Sequence, residues 1–167
     1  MAVIKSVETG LYRIPLTVTL SDSTHGEIAA FELVTCRVRD SDGAEGTGYT
    51  YTVGRNGGAV ADVLRREIPE LIEGREADDT EAIWHHVWWG LHYGGRGGAA
   101  VLALSALDIA LWDLKARRAS LPLFRLLGGF DARVPCYAGG IDLDLSVEAL
   151  LQQTDGTSGI SRLMDQH

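Results

Sequence analysis

Cysteine is nearly absent: Cys36 and Cys136 are the only two in 167 residues. They are far apart in sequence, form no CxxC spacing and lie in no secretory context, which argues against a disulfide framework and a zinc ribbon. Lysine is equally scarce, with only Lys5 and Lys115. Fifteen Lys and Arg against 23 Asp and Glu leave a net charge of −8. Nucleic-acid affinity depends on clustered cations that release counterions, so no nucleic-acid partner is expected. Long hydrophobic runs are missing too. The most apolar stretch, Ala99–Trp112, is interrupted by Ser105 and Asp108, too short and too polar to span a bilayer, so no membrane partner is expected. The opening "MAVIKSVETG" lacks the apolar region of a signal peptide, and a cytoplasmic protein is the expectation.

The chain does contain enough apolar residues, 46%, for one domain with a real core. "VIKSVETGLYRIPL" alternates loosely and is read as an edge strand ending at Pro15. In "AAFELVTCRVRDSDGAEGTGYTYTV", Phe31, Leu33, Thr35 and Arg37 share one face, Asp42-Gly43 supplies a turn, and Thr47–Val53 is β-rich. From Gly57 the period becomes helical. Val60, Val63, Leu64, Ile68, Leu71 and Ile72 form a stripe ending near Gly74, with Pro69 in its last turn. A second helix is expected from Thr80 to about Leu91, with Asp79 or Thr80 as N-cap. The third, about Ala99 to Ala119, carries Leu104, Leu107, Leu111 and Leu114 on one stripe and an Asp113–Arg117 pair at i,i+4. Pro122 opens a short helix Leu123–Leu127, closed by Gly128-Gly129. "VPCYAGGI" reads as a further strand, Ser146 caps "VEALLQQ", and Thr154–His167 has little periodicity and is expected to be weakly ordered.

Several apparent motifs dissolve on inspection. His85 and His92 lie two helical turns apart, and His85 and His86 point about 100° apart, so no zinc set forms. "GGRGG" follows a helix instead of a strand and lacks the dinucleotide spacing; a close-packing turn is expected there. Asp108 and Asp113, five positions apart, fall on different faces and are read as structural. The polar loops "SDSTHG" (Ser21–Gly26) and "YTYTVGR" (Tyr49–Arg55) cluster hydroxyls, a histidine and an arginine at strand ends, where binding groups commonly sit.

The hairpin turn "DGAEGTGYTYT", the "GRGG" before the long helix, "ALSALDIALWDLKARRASLPLFRLLGG" and the following "VPCYAGG" carry a resemblance. The chain resembles the N-terminal part of the mandelate racemase/muconate lactonizing branch of the enolase superfamily, and with "PLTVTLSDSTHG" its acid-sugar dehydratase members of galactarate/talarate type. The resemblance implies an α+β fold. A three-stranded antiparallel sheet followed by a helical bundle would form a capping domain over residues 1–130, 131–153 would begin a (β/α) barrel with Val134–Gly140 as its first strand, and 154–167 would be an atypical tail.

The same resemblance makes Ser21, Asp22, His25, Tyr49, Tyr51, Arg55 and Tyr137 the substrate-facing residues, with an acid-sugar carboxylate as ligand once a barrel is present. It also implies Mg²⁺ and proton abstraction α to a carboxylate by a Lys or His base. Lys5 and Lys115 cannot form a Lys-x-Lys base motif, and the carboxylate strands would lie beyond His167, so no catalytic or metal residue is assigned. The expected role is therefore a capping and specificity domain that does no chemistry as this chain alone. A stand-alone binding or oligomerisation module, and one half of a split enzyme, remain the alternatives. Val134–Gly140, apolar and parallel-type, is expected to promote self-association.

Overall fold

The computed structural model describes residues 1–131, 133 and 145–152. Two compact units are distinguished: Met1–Pro15 together with the chain from Ala30, and the arm Leu16–Ala29 together with the chain from Arg133.

A three-stranded sheet of order β1-β2-β3 is formed by β1 (Ile4–Asp22), β2 (Gly26–Asp40) and β3 (Glu45–Thr52), and the first unit holds β1 up to Pro15, β2 from Ala30 and all of β3. β2 and β3 pair antiparallel with Leu33 opposite Tyr51 and Thr35 opposite Tyr49. Their connection turns at Gly43, whose φ of 89° is open to glycine at no steric cost. β1 does not stop at Pro15 but runs through it to Asp22. An edge strand has one row of unpaired N–H groups, so a proline there removes no ladder bond. At its start, Ile4 N–H donates to Arg75 O and Gly74 N–H to Ile4 O, both at 2.9 Å, tying the strand to the chain after the first helix.

Period-2 alternation decides which face meets the helices. Val34, Cys36 and Val38 are fully buried, so the Phe31, Leu33, Thr35, Arg37 set lies on the opposite face, with Tyr49 and Tyr51 beside it. On the buried side α3 (Gly98–Arg118) packs directly on β3, and α1 (Gly57–Ile72) and α2 (Thr80–Gly90) pack against α3 and against each other in one apolar cluster. The leucine stripe of α3, from Leu104 to Leu114, is buried as its spacing requires. Close contact between α3 and β3 depends on two glycines: a Cβ on Gly46 or Gly48 would strike the α3 backbone at Ala110 and Leu114 or at Ala106 and Ala110. α4 (Leu123–Leu126) follows Pro122, and Gly128, φ 84°, turns the chain after it.

The end of α3 is locked to the β2–β3 turn by a buried ion pair. Arg118 donates to Asp40, whose side chain is completely buried, and lies 3.4 Å from Asp42 and 3.5 Å from Asp78. Asp40 Oδ1 also accepts from the Asp42 and Ala44 amides at 3.0 and 2.9 Å. Burial alone would raise the Asp40 carboxyl, but Arg118 and the two amides outweigh it and hold it below the usual range.

In the second unit, residues 147–152 form a helical segment that Ser146 caps through Ala149 N–H at 3.3 Å, as the sequence predicts. The expected strand Val134–Gly140, Cys136 and the segment Thr154–His167 lie outside the described residues. Among the described residues no helix is long and apolar enough to cross a membrane.

Candidate functional site

Within the expected loop Ser21–Gly26 the turn proper is Ser23–His25, because Ser21 and Asp22 end β1 and Gly26 begins β2. Asp22 Oδ1 accepts from the Thr24 and His25 amides at 2.7 and 2.6 Å, an Asx-type turn, and Gly26 takes φ 67° to re-enter the ladder. His25 Nδ1 reaches Asp22 Oδ2 at 2.8 Å. The His25 amide, followed by its ring, holds the Asp22 carboxyl below the usual carboxylate range. An ionised carboxylate only accepts, so Nδ1–H donates to it, from an imidazole whose side chain is 57% exposed. Ser21 is half-buried at the end of β1.

The second stretch is only partly a loop. Tyr49 to Thr52 belong to β3, and the turn proper is Val53–Asn56. β-Propensity and cross-strand pairing with Leu33 and Thr35 extend the strand past the tyrosines. Tyr49 and Tyr51 project from the sheet face away from the helices, 57% and 59% exposed, and Tyr51 packs edge-on against Phe31 at 5.7 Å. Gly54 and Asn56 adopt φ of 73° and 68°, the left-handed bends that swing the chain into α1. Between them Arg55 is exposed, and no described side chain pairs with its guanidinium.

What holds this turn is Glu32, a residue not singled out from the sequence. Its Oε2 accepts from Thr52 Oγ1 and from Gly57 N–H, each at 2.8 Å. The two hydrogen bonds, that from Thr52 first, keep its carboxyl below the usual range, with Arg13 nearby adding to the effect. Asn56 makes no side-chain cap, so a carboxylate from β2 caps α1 in its place, where the helix dipole favours negative charge. Gly57 keeps the contact close: a Cβ there would lie 2.7 Å from Glu32 Oε2 and 2.9 Å from Glu32 Cβ, so the Glu32 side chain would have to shift. A glutamate inside the apolar run "AAFELVT" is the sequence signal for this latch.

The remaining candidates take structural roles. Trp89 Nε1 donates to His85 Nε2 at 3.1 Å, and His92 Nδ1 lies 2.7 Å from Trp89 O. Arg96 of "GGRGG" covers the rings of Trp88 and Trp89. Asp113 pairs with Arg117 at 2.8 Å, as its spacing predicts, and accepts from Thr47 N–H at 2.8 Å. Cys36 is a buried thiol pushed up to about 12 by desolvation. Tyr137 lies outside the described residues. Among the described residues no three His, Cys, Asp or Glu side chains are grouped to hold a metal ion, so the Mg²⁺ implied by the resemblance finds no ligand set there.

Comparison with known proteins agrees with this architecture. The family described as mandelate racemase / muconate lactonizing enzyme, N-terminal domain, matches residues 7–128. The 3,6-anhydro-alpha-L-galactonate cycloisomerase of Streptomyces coelicolor is 55% identical over 91% of this chain and 42% of its own length. The L-talarate/galactarate dehydratase of Salmonella typhimurium is 35% identical over 80% of this chain and 35% of its own. A Streptomyces coelicolor racemase crystallised with bound magnesium superposes with a TM-score of 0.89 at 55% identity, over 91% of this chain and 43% of that one. The Salmonella dehydratase, liganded with Mg and L-lyxarohydroxamate, gives 0.84 at 32% identity, over 96% and 41%. The chain thus spans about two-fifths of the length of these relatives. Three-stranded sheet, helical layer and matched span together establish that the chain belongs to the mandelate racemase/muconate lactonizing enzyme family, of which it carries the N-terminal capping domain.

Proposed function

We propose that residues 1–130 act as the substrate-selecting cap of a sugar-acid enzyme, with Arg55 as the main carboxylate-binding group. The observation that carries this reading is the Glu32 latch, which holds a short turn in a defined shape while leaving the Arg55 guanidinium exposed and without a partner among the described residues. Such a fork of donors matches a carboxylate bidentately. Tyr49 and Tyr51 supply hydroxyls from the neighbouring strand, and Ser21, Asp22 and His25 supply polar groups from their own hairpin tip. Tyr137 is retained as a substrate contact by resemblance to the family. The relatives that act on talarate, galactarate and anhydrogalactonate point to a polyhydroxy acid as ligand.

In the complete reaction Mg²⁺ and a base would remove the proton α to the carboxylate. This chain supplies closure and selection, and by itself is expected to give no α-proton exchange. The test is a ¹⁵N–¹H NMR titration with galactarate. Shifts are expected at the 53–57 and 21–26 amides and should disappear at 53–57 in Arg55→Gln. Shifts confined to other residues, or unchanged in the variant, would overturn the assignment. Exchange of the galactarate α-proton in D₂O with Mg²⁺ present, lost in His25→Ala, would make the chain a catalyst after all.

The exposed Tyr12 and Ile14 of the edge strand β1 favour self-association as a second property, in a cytoplasmic setting. Sedimentation should show an oligomer; a monomer at all concentrations would refute it.

A further inference from the structure

Between α2 and α3, Glu81, Ala82, Trp84, His85, Asp108 and Trp112 line an open cavity of about 630 Å³. Asp108 and Trp112 stand one turn apart on α3 and therefore present to the same side. Trp84 is fixed as a wall by stacking on Trp88, 5.4 Å between centroids and 11° between planes. The Asp108 carboxylate is half-buried and takes part in none of the ion pairs among the described residues. Burial pushes it above the usual carboxylate range, with the Trp112 indole N–H acting in the opposite sense. Lys115 Nζ lies 5.3 Å from the Trp112 ring centroid but donates to Asp78 O, so among the described residues the half-buried carboxylate has no paired countercharge and forms an incomplete site.

The walls decide which cation completes it. Divalent metals want a cage of six or more oxygens, and two carboxylates between two indoles do not provide one. A guanidinium does fit. It is flat, weakly hydrated, stacks on indole faces and offers paired donors to a carboxylate. The neighbouring face of α2 already uses this chemistry, with Arg96 at 5.2 and 4.8 Å from the Trp88 and Trp89 ring centroids.

We propose that this cavity is a guanidinium-binding site in which Asp108 accepts the donors and Trp84 and Trp112 flank the plane, with Glu81 at the rim. The site is independent of the Arg55 turn and of any sugar acid.

The four tryptophan indole N–H resonances give a site-specific readout in the full chain. Titration with N-acetyl-arginine amide should shift the Trp84 and Trp112 indoles saturably and by more than those of Trp88, which stacks on Trp84, and Trp89, whose N–H bonds the cavity-lining His85. The neutral isostere N-acetyl-citrulline amide should not. Asp108→Asn is expected to weaken binding by about tenfold or more, the loss of a charge-assisted pair. Glu81→Gln, at an exposed position that does not threaten the fold, should weaken it severalfold. An Ac-Gly-Arg-Gly amide distinguishes the sources: tighter binding than the free amide assigns the cation to a polypeptide, weaker binding to a small molecule. Equal shifts with citrulline amide, shifts of equal size at all four indoles, no saturable shift, or an Asp108→Asn protein that binds as the native one does would overturn the proposal.

Discussion

Replacing Arg118 by methionine should expose how far the fold leans on one buried charge pair. Methionine keeps most of the side-chain length and removes the guanidinium, leaving the completely buried Asp40 carboxylate with only the Asp42 and Ala44 amides as donors. Breaking a buried pair by removing one partner costs roughly 3–5 kcal/mol because the survivor is an uncompensated charge. Arg118 itself is 22% exposed, so water reaches part of the vacated space and the lower end, about 3 kcal/mol, is expected. For a chain of this size that is a fall in Tm of about 6–12 °C. Urea denaturation followed by circular dichroism at pH 7 measures it, and the double variant Asp40→Asn/Arg118→Met should recover at least about 1 kcal/mol because no bare charge remains. The pH dependence has a definite sign. The folded Asp40 carboxyl lies below its unfolded value of about 3.9, so its stabilisation is present above that value and is lost as pH falls through the lowered folded value. The deficit of Arg118→Met should therefore shrink in acid. A single variant within about 0.5 kcal/mol of the native chain, or a double variant as unstable as the single, would refute the reasoning.

Three further substitutions probe the α3–β3 contact, the start of α1 and the Arg55 turn. Gly48→Ala places a Cβ against Ala106 O and 2.6 Å from Ala110 N, both backbone atoms that cannot rotate away, and should cost at or above the upper end of the roughly 1–3 kcal/mol typical of overpacking. Gly58→Ala, with nothing within 4 Å, should leave the melting temperature unchanged or raise it. Glu32→Ala frees the Gly57 N–H, and hydrogen exchange at that amide should rise about tenfold or more while α3 amides keep their protection; unchanged exchange would dismiss the latch. In the native chain the same release should occur as pH falls through the lowered folded value of Glu32, the hydrogen bonds being intact above the unfolded value of about 4.3.

Local pattern determined much of this protein. The leucine stripe of α3, the stripe of α1, the Asp42-Gly43 turn and the Asp113–Arg117 pair follow from helical and strand periodicity, turn chemistry and i,i+4 spacing, all of which act within a few residues. The run from "ALSALD" to "LLGG" carried the family resemblance, and the matched span bears it out. Tertiary structure decided the rest. Alternation shows that β2 has two faces but not which one meets the helices; Gly46 and Gly48 of β3 settle that, because only a strand without Cβ atoms on one side lets α3 come so close. Pro15 looked like a strand end, and its edge position let the strand continue. Glu32 with Gly57, Asp40 with Arg118, and Asp108 opposite Trp84 join residues 24 to 78 positions apart. A charged or polar side chain shows its type in the sequence, but its partner is chosen by the packing that brings distant elements within hydrogen-bond reach.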